Sequence, residues 1–281
     1  MNAPAGFDPD FDDSEWNEGW RAVPIAPIPP GAHPSGYRIE RRLLREVEIF
    51  GRRYRLSEPF DCRLLFDREG RLWMSSTPQE HIMMYNNGRR SCGHVLVGGL
   101  GLGLYPQYAV TGAAGEATRF TVVERDPAVR DMVAPTLSAA LSAPLDVRVG
   151  DIEATLAGPV ADRYDTIFLD TWDTLDANHL PYINRLRALA LRHLAPGGRV
   201  LLWGYQWMVR LFETACRQAL QVPPAQRRSW LATSAGAPPQ AISLLTPVVD
   251  HFEGQVVEDL DAALAWCRRF IVDLESPASR K

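Results

Sequence analysis

Short apolar runs alternate with amphipathic stretches from residue 94 to residue 203. Such runs are typical of parallel strands that are covered on both faces, whereas the stretches between them have the spacing of helices. Strands are predicted at residues 94–98, 121–124, 145–149, 164–169 and 199–203, and helices at 127–141 and 178–194. Strands that alternate with helices predict an α/β fold with a doubly wound, mostly parallel, Rossmann-like sheet.

A different pattern precedes this region. Residues 37–74 read as short strands and turns with period-two alternation, which predicts two hairpins, at 46–56 and 62–74. They form a small N-terminal β-hairpin domain, 37–76, ahead of a main domain, 77–281. Residues 75–85 predict a helix with Thr77 as its N-cap, Pro78 at its first position and Glu80 at the capping-box position. Glu80 therefore has two open roles, helix capping and substrate contact.

Residues 1–36 show no periodicity and contain five prolines between positions 24 and 34, which predicts an irregular arm. Phe7, Phe11, Trp16 and Trp20 are many large rings for a solvated tail. We expect the arm to lay them on its own or a neighbouring subunit, so that a homodimer could form through the N-terminal region. A disordered tail is the alternative.

The last eighty residues are less periodic. Residues 206–220 predict an amphipathic helix that ends before Pro223, and 226–232 resume a helical pattern. Residues 241–249 are a candidate sixth strand, and 258–274 predict a final helix.

A glycine-rich turn follows the first strand of the predicted sheet. It reads G-G-L-G-L-G and contains the glycines Gly98, Gly99, Gly101 and Gly103. Glycine leaves no Cβ in the way, so a ligand can lie against the backbone, and the helix that follows points its amides to the same place. The dinucleotide spacing G-x-G-x-x-G fails because the third glycine would fall on Leu104 or Pro106. The P-loop pattern also fails, since no Gly-Lys-Ser/Thr follows.

Acidic residues end the later strands: Glu124, Asp151, Asp170 and Asp173. Since ligands of such sheets lie beyond the carboxyl ends of the strands, these acids and the glycine turn predict a nucleoside-cofactor pocket. Glu124 could accept both hydroxyls of a ribose. Asp151 could accept the adenine amino group with Ile152 flanking the ring, although Asp151 could also be a helix N-cap.

Asp170 and Asp173 are predicted to face the reacting group. Two close carboxylates resist joint ionisation, so one can accept a proton, and both could hold a cationic amine. A turn-forming Asp170 and a helix-capping Asp173 are the structural alternatives. Trp172 could wall the pocket or stack on an amine, and Tyr205 could line an acceptor pocket, although both residues also suit a core or rim.

Composition limits the other possibilities. The 281 residues are 46% hydrophobic and 23% charged, with a net charge of −4, which gives no electrostatic footprint for nucleic acid. The four cysteines are far apart and lack a C-x-x-C pair, so neither a metal site nor a disulfide framework is expected. No apolar stretch approaches the ~20 residues of a membrane span, and we expect a cytoplasmic protein.

The G-x-G-x-G turn resembles motif I of class I S-adenosylmethionine (SAM) methyltransferases, and residues 94–203 resemble their core. With the hairpins in front, residues 37–203 are similar to the spermidine synthase-like (polyamine aminopropyltransferase) branch of that fold. The matching motifs are the glycine turn, Glu124 with Asp126, Gly150 with Asp151, and Asp170 with Asp173. The resemblance implies SAM or decarboxylated SAM as cofactor and assigns the last pair to catalysis.

The departures from that branch decide between the two cofactors. The branch has an aspartate in the glycine turn that binds the ammonium of decarboxylated SAM, whereas this turn has no acid. Losing one charged hydrogen bond costs about 1.5–3 kcal/mol. Thr174 replaces the expected proline, and Gln79-Glu80-His81 echoes the usual entrance motif only faintly. We therefore expect methyl transfer from SAM to an N or O nucleophile of a small molecule or short peptide. An aminopropyltransferase and a non-catalytic cofactor-binding scaffold are the alternatives.

Overall fold

The computed structural model describes residues 19–49, 52–233 and 239–273. Its strands are β1 (Gly31–Ala32), β2 (Arg38–Ile49), β3 (Arg52–Phe66), β4 (Leu72–Ser75), β5 (Cys92–Gly98), β6 (Glu116–Glu124), β7 (Leu145–Val149), β8 (Tyr164–Leu169) and β9 (Leu194–Leu202). Its α-helices are α1 (Gly19–Ala22), α2 (Pro78–Gly88), α3 (Leu104–Ala109), α4 (Pro127–Ala140), α5 (Ile152–Ala157), α6 (Leu180–Ala190), α7 (Tyr205–Gln221), α8 (Arg227–Thr233), α9 (Pro239–His251) and α10 (Leu260–Asp273).

The last five strands form one parallel sheet in the order β7-β6-β5-β8-β9, flanked by helices, which confirms the predicted α/β, doubly wound, Rossmann-like fold. The strand order reverses between β5 and β8, and a ligand crevice is expected at such a reversal. Gly98 is paired with Leu169 at the ends of these two strands, so Gly99 and Asp170 leave the sheet side by side. The register alone therefore brings the glycine turn to one of the predicted acids.

The first four strands form an antiparallel sheet in the order β1-β2-β3-β4, which confirms an N-terminal hairpin sheet. The two predicted hairpins belong to longer strands than expected, because β2 and β3 pair along most of their length, with a shift in register between Leu44 and Glu46. The turn at residues 50 and 51 lies outside the described residues. Strand β4 is an edge strand and pairs with β3 at only three positions. The division into segments 1–36, 37–76 and 77–281 stays a prediction.

The described part of the N-terminal arm packs on the chain itself. Trp20 is buried, with its ring 5.8 Å from Phe60 and 5.2 Å from His81. The Tyr37 hydroxyl donates to Asp126 Oδ2 at 2.7 Å, which ties the hairpin sheet to the end of β6. The other rings of the arm, Phe7, Phe11 and Trp16, lie outside the described residues, and the predicted homodimer stays a prediction.

The chain divides into two compact units, and both sheets belong to the first. The second comprises Thr174–Ala188 and the chain from Gly204 onward, and it contains α7 to α10. The candidate sixth strand at 241–249 was wrong, because these residues lie in helix α9. Its buried side chains, Leu244, Leu245, Val248 and Val249, are spaced as one face of a helix.

Buried arginine ties helices of the second unit together. Arg227 is 2% exposed and donates to the backbone oxygens of Leu220, Val222, Phe252 and Gln255. Within the described ranges, no helix has the length and apolar character needed to cross a membrane.

Candidate active site

The glycine turn has a left-handed backbone, which glycine adopts without strain, at Gly99, Gly101 and Gly103. Gly99 has φ +91° and Gly101 has φ +53°. The turn is closed by a hydrogen bond from the Gly103 amide to the Leu100 oxygen at 3.0 Å, and the Gly99 amide is anchored on the Val123 oxygen at 2.9 Å. A Cβ at Gly99 would collide with the Asp170 carbonyl oxygen, so glycine is required for the approach of these two strand ends.

Glu124 reaches from the end of β6 into this turn. Its Oε2 accepts from the Leu100 amide at 2.8 Å and its Oε1 accepts from the Asp126 amide at 2.8 Å. The side chain is 9% exposed, and the two bonds fix the carboxylate. Since a carboxylate has about four lone-pair sites, two sites remain after these bonds. The predicted ribose acid and the predicted glycine turn are thus joined directly.

Met74, from the edge strand β4, covers the glycine turn. Its Sδ accepts from the Leu102 amide at 3.0 Å, and a Cβ at Gly101 would collide with its Sδ and Cε. The cavity left between Met74, Gly99, Leu100 and Asp170 has a volume of only about 10 Å³. The backbone of the turn is therefore open to close contact by another group, and the Met74 side chain makes that contact in this structure.

A larger cavity of about 190 Å³ lies beside the turn. Strand β4 lines one side of it, and carboxyl and indole side chains line the rest: Glu80, Asp170, Trp172, Asp173 and Trp203. Among the described residues, those that line the cavity include no lysine, arginine or histidine. Its chemistry therefore suits a neutral or cationic molecule and opposes an anion.

Glu80 enters this cavity from α2. The predicted cap at Thr77 is confirmed, since its Oγ1 accepts from the Glu80 amide at 3.5 Å. The Glu80 side chain does not complete a capping box, because its Oε2 accepts from the Trp203 indole Nε1 at 3.1 Å. The helix start therefore holds the Glu80 backbone, and Trp203 orients its carboxyl within the cavity.

The two carboxyls of Glu80 and Asp170 are electrostatically coupled. Burial raises the pKa of Glu80 to about 7, partly opposed by the Trp203 hydrogen bond. Burial also holds the pKa of Asp170 well above its usual range, and the negative charges of Glu80 and Glu124 raise it further. A carboxyl with a pKa near 7 is suited to exchange a proton at neutral pH.

Trp172 and Trp203 form a buried wall of the same cavity. Each is 7% exposed, and their ring centroids lie 6.4 Å apart. The Trp172 Nε1 is buried without a hydrogen-bond acceptor among the described residues. A buried indole N–H usually has a partner, so the Trp172 Nε1 is an unsatisfied donor in this conformation.

Of the two residues predicted to contact adenine, Asp151 and Ile152, the first has the alternative role of a helix N-cap. The Asp151 Oδ1 accepts from the Ala154 amide at 2.9 Å and caps α5, although the side chain is exposed and keeps its second oxygen. Ile152 is 5% exposed and lies against Gly98, where an added Cβ would be 2.8 Å from its Cγ1. The adenine contacts predicted for this pair stay predictions.

The remaining predicted residues lie at the margin or elsewhere. Asp173 lines the cavity but is exposed. Tyr205 belongs to the second unit, where its hydroxyl donates to Asn184 Oδ1 at 2.9 Å. The roles predicted for both residues stay predictions.

Sequence reasoning missed two residues that shape the site. Trp203 directly follows strand β9. Its position at the carboxyl end of a parallel strand could have identified it as a site residue. Met74 had no such signal, because only the fold brings a hairpin residue over the glycine turn.

No protein-family model and no curated protein matches the chain. Among solved structures, a Thermoplasma acidophilum protein assigned as a methyltransferase is 22% identical over 40% of this chain and 44% of its own, with a TM-score of 0.29. An amino pentose methyltransferase from Micromonospora echinaspora, solved with SAM bound, is 18% identical over 42% of this chain and 45% of its own, with a TM-score of 0.30. A sugar N-methyltransferase from Streptoalloteichus is 19% identical over 42% and 43%, with a TM-score of 0.29. The chain thus spans less than half the length of each of these proteins, and its function has to be argued from the site.

Proposed function

We propose that this chain is a SAM-dependent methyltransferase that acts on an N or O nucleophile of a small molecule or short peptide. One observation carries the proposal. At the carboxyl ends of β5, β6 and β8, the glycine turn is hydrogen-bonded to Glu124 and adjoins a cavity. This cavity is lined by Glu80 and Asp170, two carboxyls whose pKa values are raised by burial.

The residues of the turn fit the cofactor. Glu124 keeps lone pairs for ribose hydroxyls, and the Leu102 amide could donate to a carboxylate such as that of SAM. The positive-φ glycines of the turn, which have no Cβ, let a ligand reach the backbone. When bound, SAM supplies a methyl group on a sulfonium that a nucleophile can displace. The turn has no acid to pair with the ammonium of decarboxylated SAM, whereas the carboxylate of SAM can accept from a backbone amide, which favours SAM.

Glu80 and Asp170 would then serve the acceptor. The proton released by an attacking amine or hydroxyl passes to one carboxyl of this pair, and Glu80 is suited to the role because its pKa is raised to about 7. Asp173, which is exposed, would contribute to the negative rim. Alignment of the acceptor between the indole walls and exclusion of water would account for much of the acceleration.

Calorimetry with SAM and with decarboxylated SAM tests the cofactor, and mass spectrometry of SAM incubated with a panel of amines and hydroxyl compounds tests the reaction. We expect SAM to bind more tightly and a methylated product to appear. Preference for decarboxylated SAM with aminopropyl products would establish the aminopropyltransferase instead. Binding without turnover across the panel would favour the scaffold.

A further inference from the structure

Met74 makes a contact with the glycine turn that a bound cofactor would have to replace. Its thioether uses the Leu102 amide and fills the space that the missing Cβ of Gly101 leaves open. Both features, a backbone amide and a backbone without a Cβ, are those that allow a ligand to bind against the turn. In the present conformation, the side chain of the protein itself occupies this position.

Strand β4, which carries Met74, is held weakly enough to move. It is four residues long, lies at the edge of its sheet and pairs with β3 at three positions, with an irregular register between Leu65 and Phe66. Two of its side chains, Leu72 and Trp73, are about half exposed, at 55% and 49%. Short edge segments with few buried contacts open at low free energy.

The same strand lines both halves of the site. Met74 and Ser75 border the small cavity at the turn and also the 190 Å³ cavity, which Leu72 and Trp73 extend. Displacement of Met74 therefore cannot leave the larger cavity unchanged.

We propose that Met74 is a plug that the cofactor displaces from the glycine turn, and that strand β4 transmits this displacement to the acceptor cavity. The inference rests on the proposed function, because it takes SAM as the molecule that enters the turn. The plug lowers the affinity for SAM, since its contacts must be broken before SAM binds. The movement of β4 then reshapes the acceptor cavity only after SAM has bound, so that the cofactor binds first and the acceptor second.

The test compares the full-length wild type with Met74→Ala, Met74→Leu and Leu43→Ala. Leucine nearly preserves the volume of methionine but accepts no hydrogen bond, so it also serves if the alanine variant folds poorly. Leu43 is an exposed residue of the same sheet that lines neither cavity. Three quantities are measured: the dissociation constant for SAM by calorimetry, hydrogen–deuterium exchange at the Leu102 amide without ligand, and the fluorescence emission of Trp73, for which Trp73→Phe is the reference.

Loss of one neutral hydrogen bond corresponds to a change of about 3- to 10-fold. We expect SAM to bind about 3- to 10-fold more tightly to both Met74 variants and with wild-type affinity to Leu43→Ala. The Leu102 amide should exchange about 3-fold faster or more in both Met74 variants. The emission of Trp73, obtained as the difference from Trp73→Phe, should change when SAM is added to the wild type.

Unchanged exchange at Leu102 together with unchanged or weaker SAM binding would overturn the plug. Faster exchange in the Met74 variants, with no SAM binding in any protein, would confirm that Met74 protects the Leu102 amide in the wild type. It would refute SAM as the cofactor, and with it this inference. Tighter SAM binding without any change at Trp73 would overturn the transmission through β4.

Discussion

Replacing Glu80 with glutamine removes a carboxyl whose pKa is raised by burial but keeps an oxygen that can accept from the Trp203 indole. The substitution therefore isolates the effect of charge. Because the pKa of Glu80 in the folded protein, about 7, lies above its ordinary value of 4.5, the folded state holds more protons than the unfolded state between these two values. The free energy of unfolding of the wild type must then fall as the pH rises through this window.

The size of the effect follows from the gap between the two pKa values. At 1.36 kcal/mol for each pH unit, the ionised Glu80 destabilises the folded state by about 3 kcal/mol above pH 7. Glu80→Gln should recover about that amount at pH 8 and little near pH 4.5, where the wild-type side chain is already neutral in both states. Relief of the repulsion on Asp170 acts in the same direction.

Urea unfolding of both proteins at pH 5, 6, 7 and 8 measures this difference. Glu116→Gln, at an exposed position, provides the same change of net charge and should follow the wild type. The stability gained by Glu80→Gln should accompany a loss of methyl transfer. The difference in the free energy of unfolding between Glu80→Gln and the wild type should therefore change with pH. A difference that stays constant from pH 5 to pH 8 would refute a raised pKa for Glu80.

Two further predictions concern the predicted acid pair and the glycine turn. Asp170→Asn should reduce turnover by about 100-fold or more, because Asp170 is subject to the charge of Glu80, whereas Asp173→Asn should reduce turnover by less than about 10-fold, because Asp173 is exposed. Single-turnover rates are measured with an acceptor from the panel that the wild type methylates, and equal losses in the two variants would contradict this prediction. Gly99→Ala should lower the free energy of unfolding more than Gly112→Ala does, and the difference between the two variants should be at least about 1 kcal/mol. Both glycines have φ near +90°, but an added Cβ would meet the backbone of Asp170 at Gly99, whereas it would meet no atom within 4 Å at Gly112. Equal urea midpoints for these two variants would contradict the close approach at Gly99.

The parallel sheet could be predicted because its strands contain short segments rich in apolar residues, with turn residues at their ends. Residues 145–149 and 164–169, for example, coincide with β7 and β8. Strand order then follows from general rules of α/β folds, and the order places Gly99, Glu124 and Asp170 at one edge. The helix at α9 was missed because a largely apolar segment of nine residues is short enough to be read as a strand as well as a buried helix.

The partnership within the site could not be predicted from spacing. Asp170 and Asp173 are three residues apart in sequence, and that proximity suggested a pair. In the structure, burial and charge couple Asp170 to Glu80, which lies ninety residues earlier on another element. The capping position of Glu80 is a local property, whereas the direction of its side chain depends on Trp203, from the end of β9. Contacts of this kind, like that of Met74 with Leu102, are set by tertiary packing alone.

Titration of SAM into the wild type and Glu124→Gln tests the central claim most directly, because Glu124 joins the glycine turn to the predicted ribose site. The account predicts that the wild type binds SAM and that Glu124→Gln binds it about 10- to 100-fold more weakly, the effect of losing one charge-assisted hydrogen bond. The exposed control Glu116→Gln should bind like the wild type. A wild type that binds no SAM, or a Glu124→Gln variant with undiminished affinity, would contradict it.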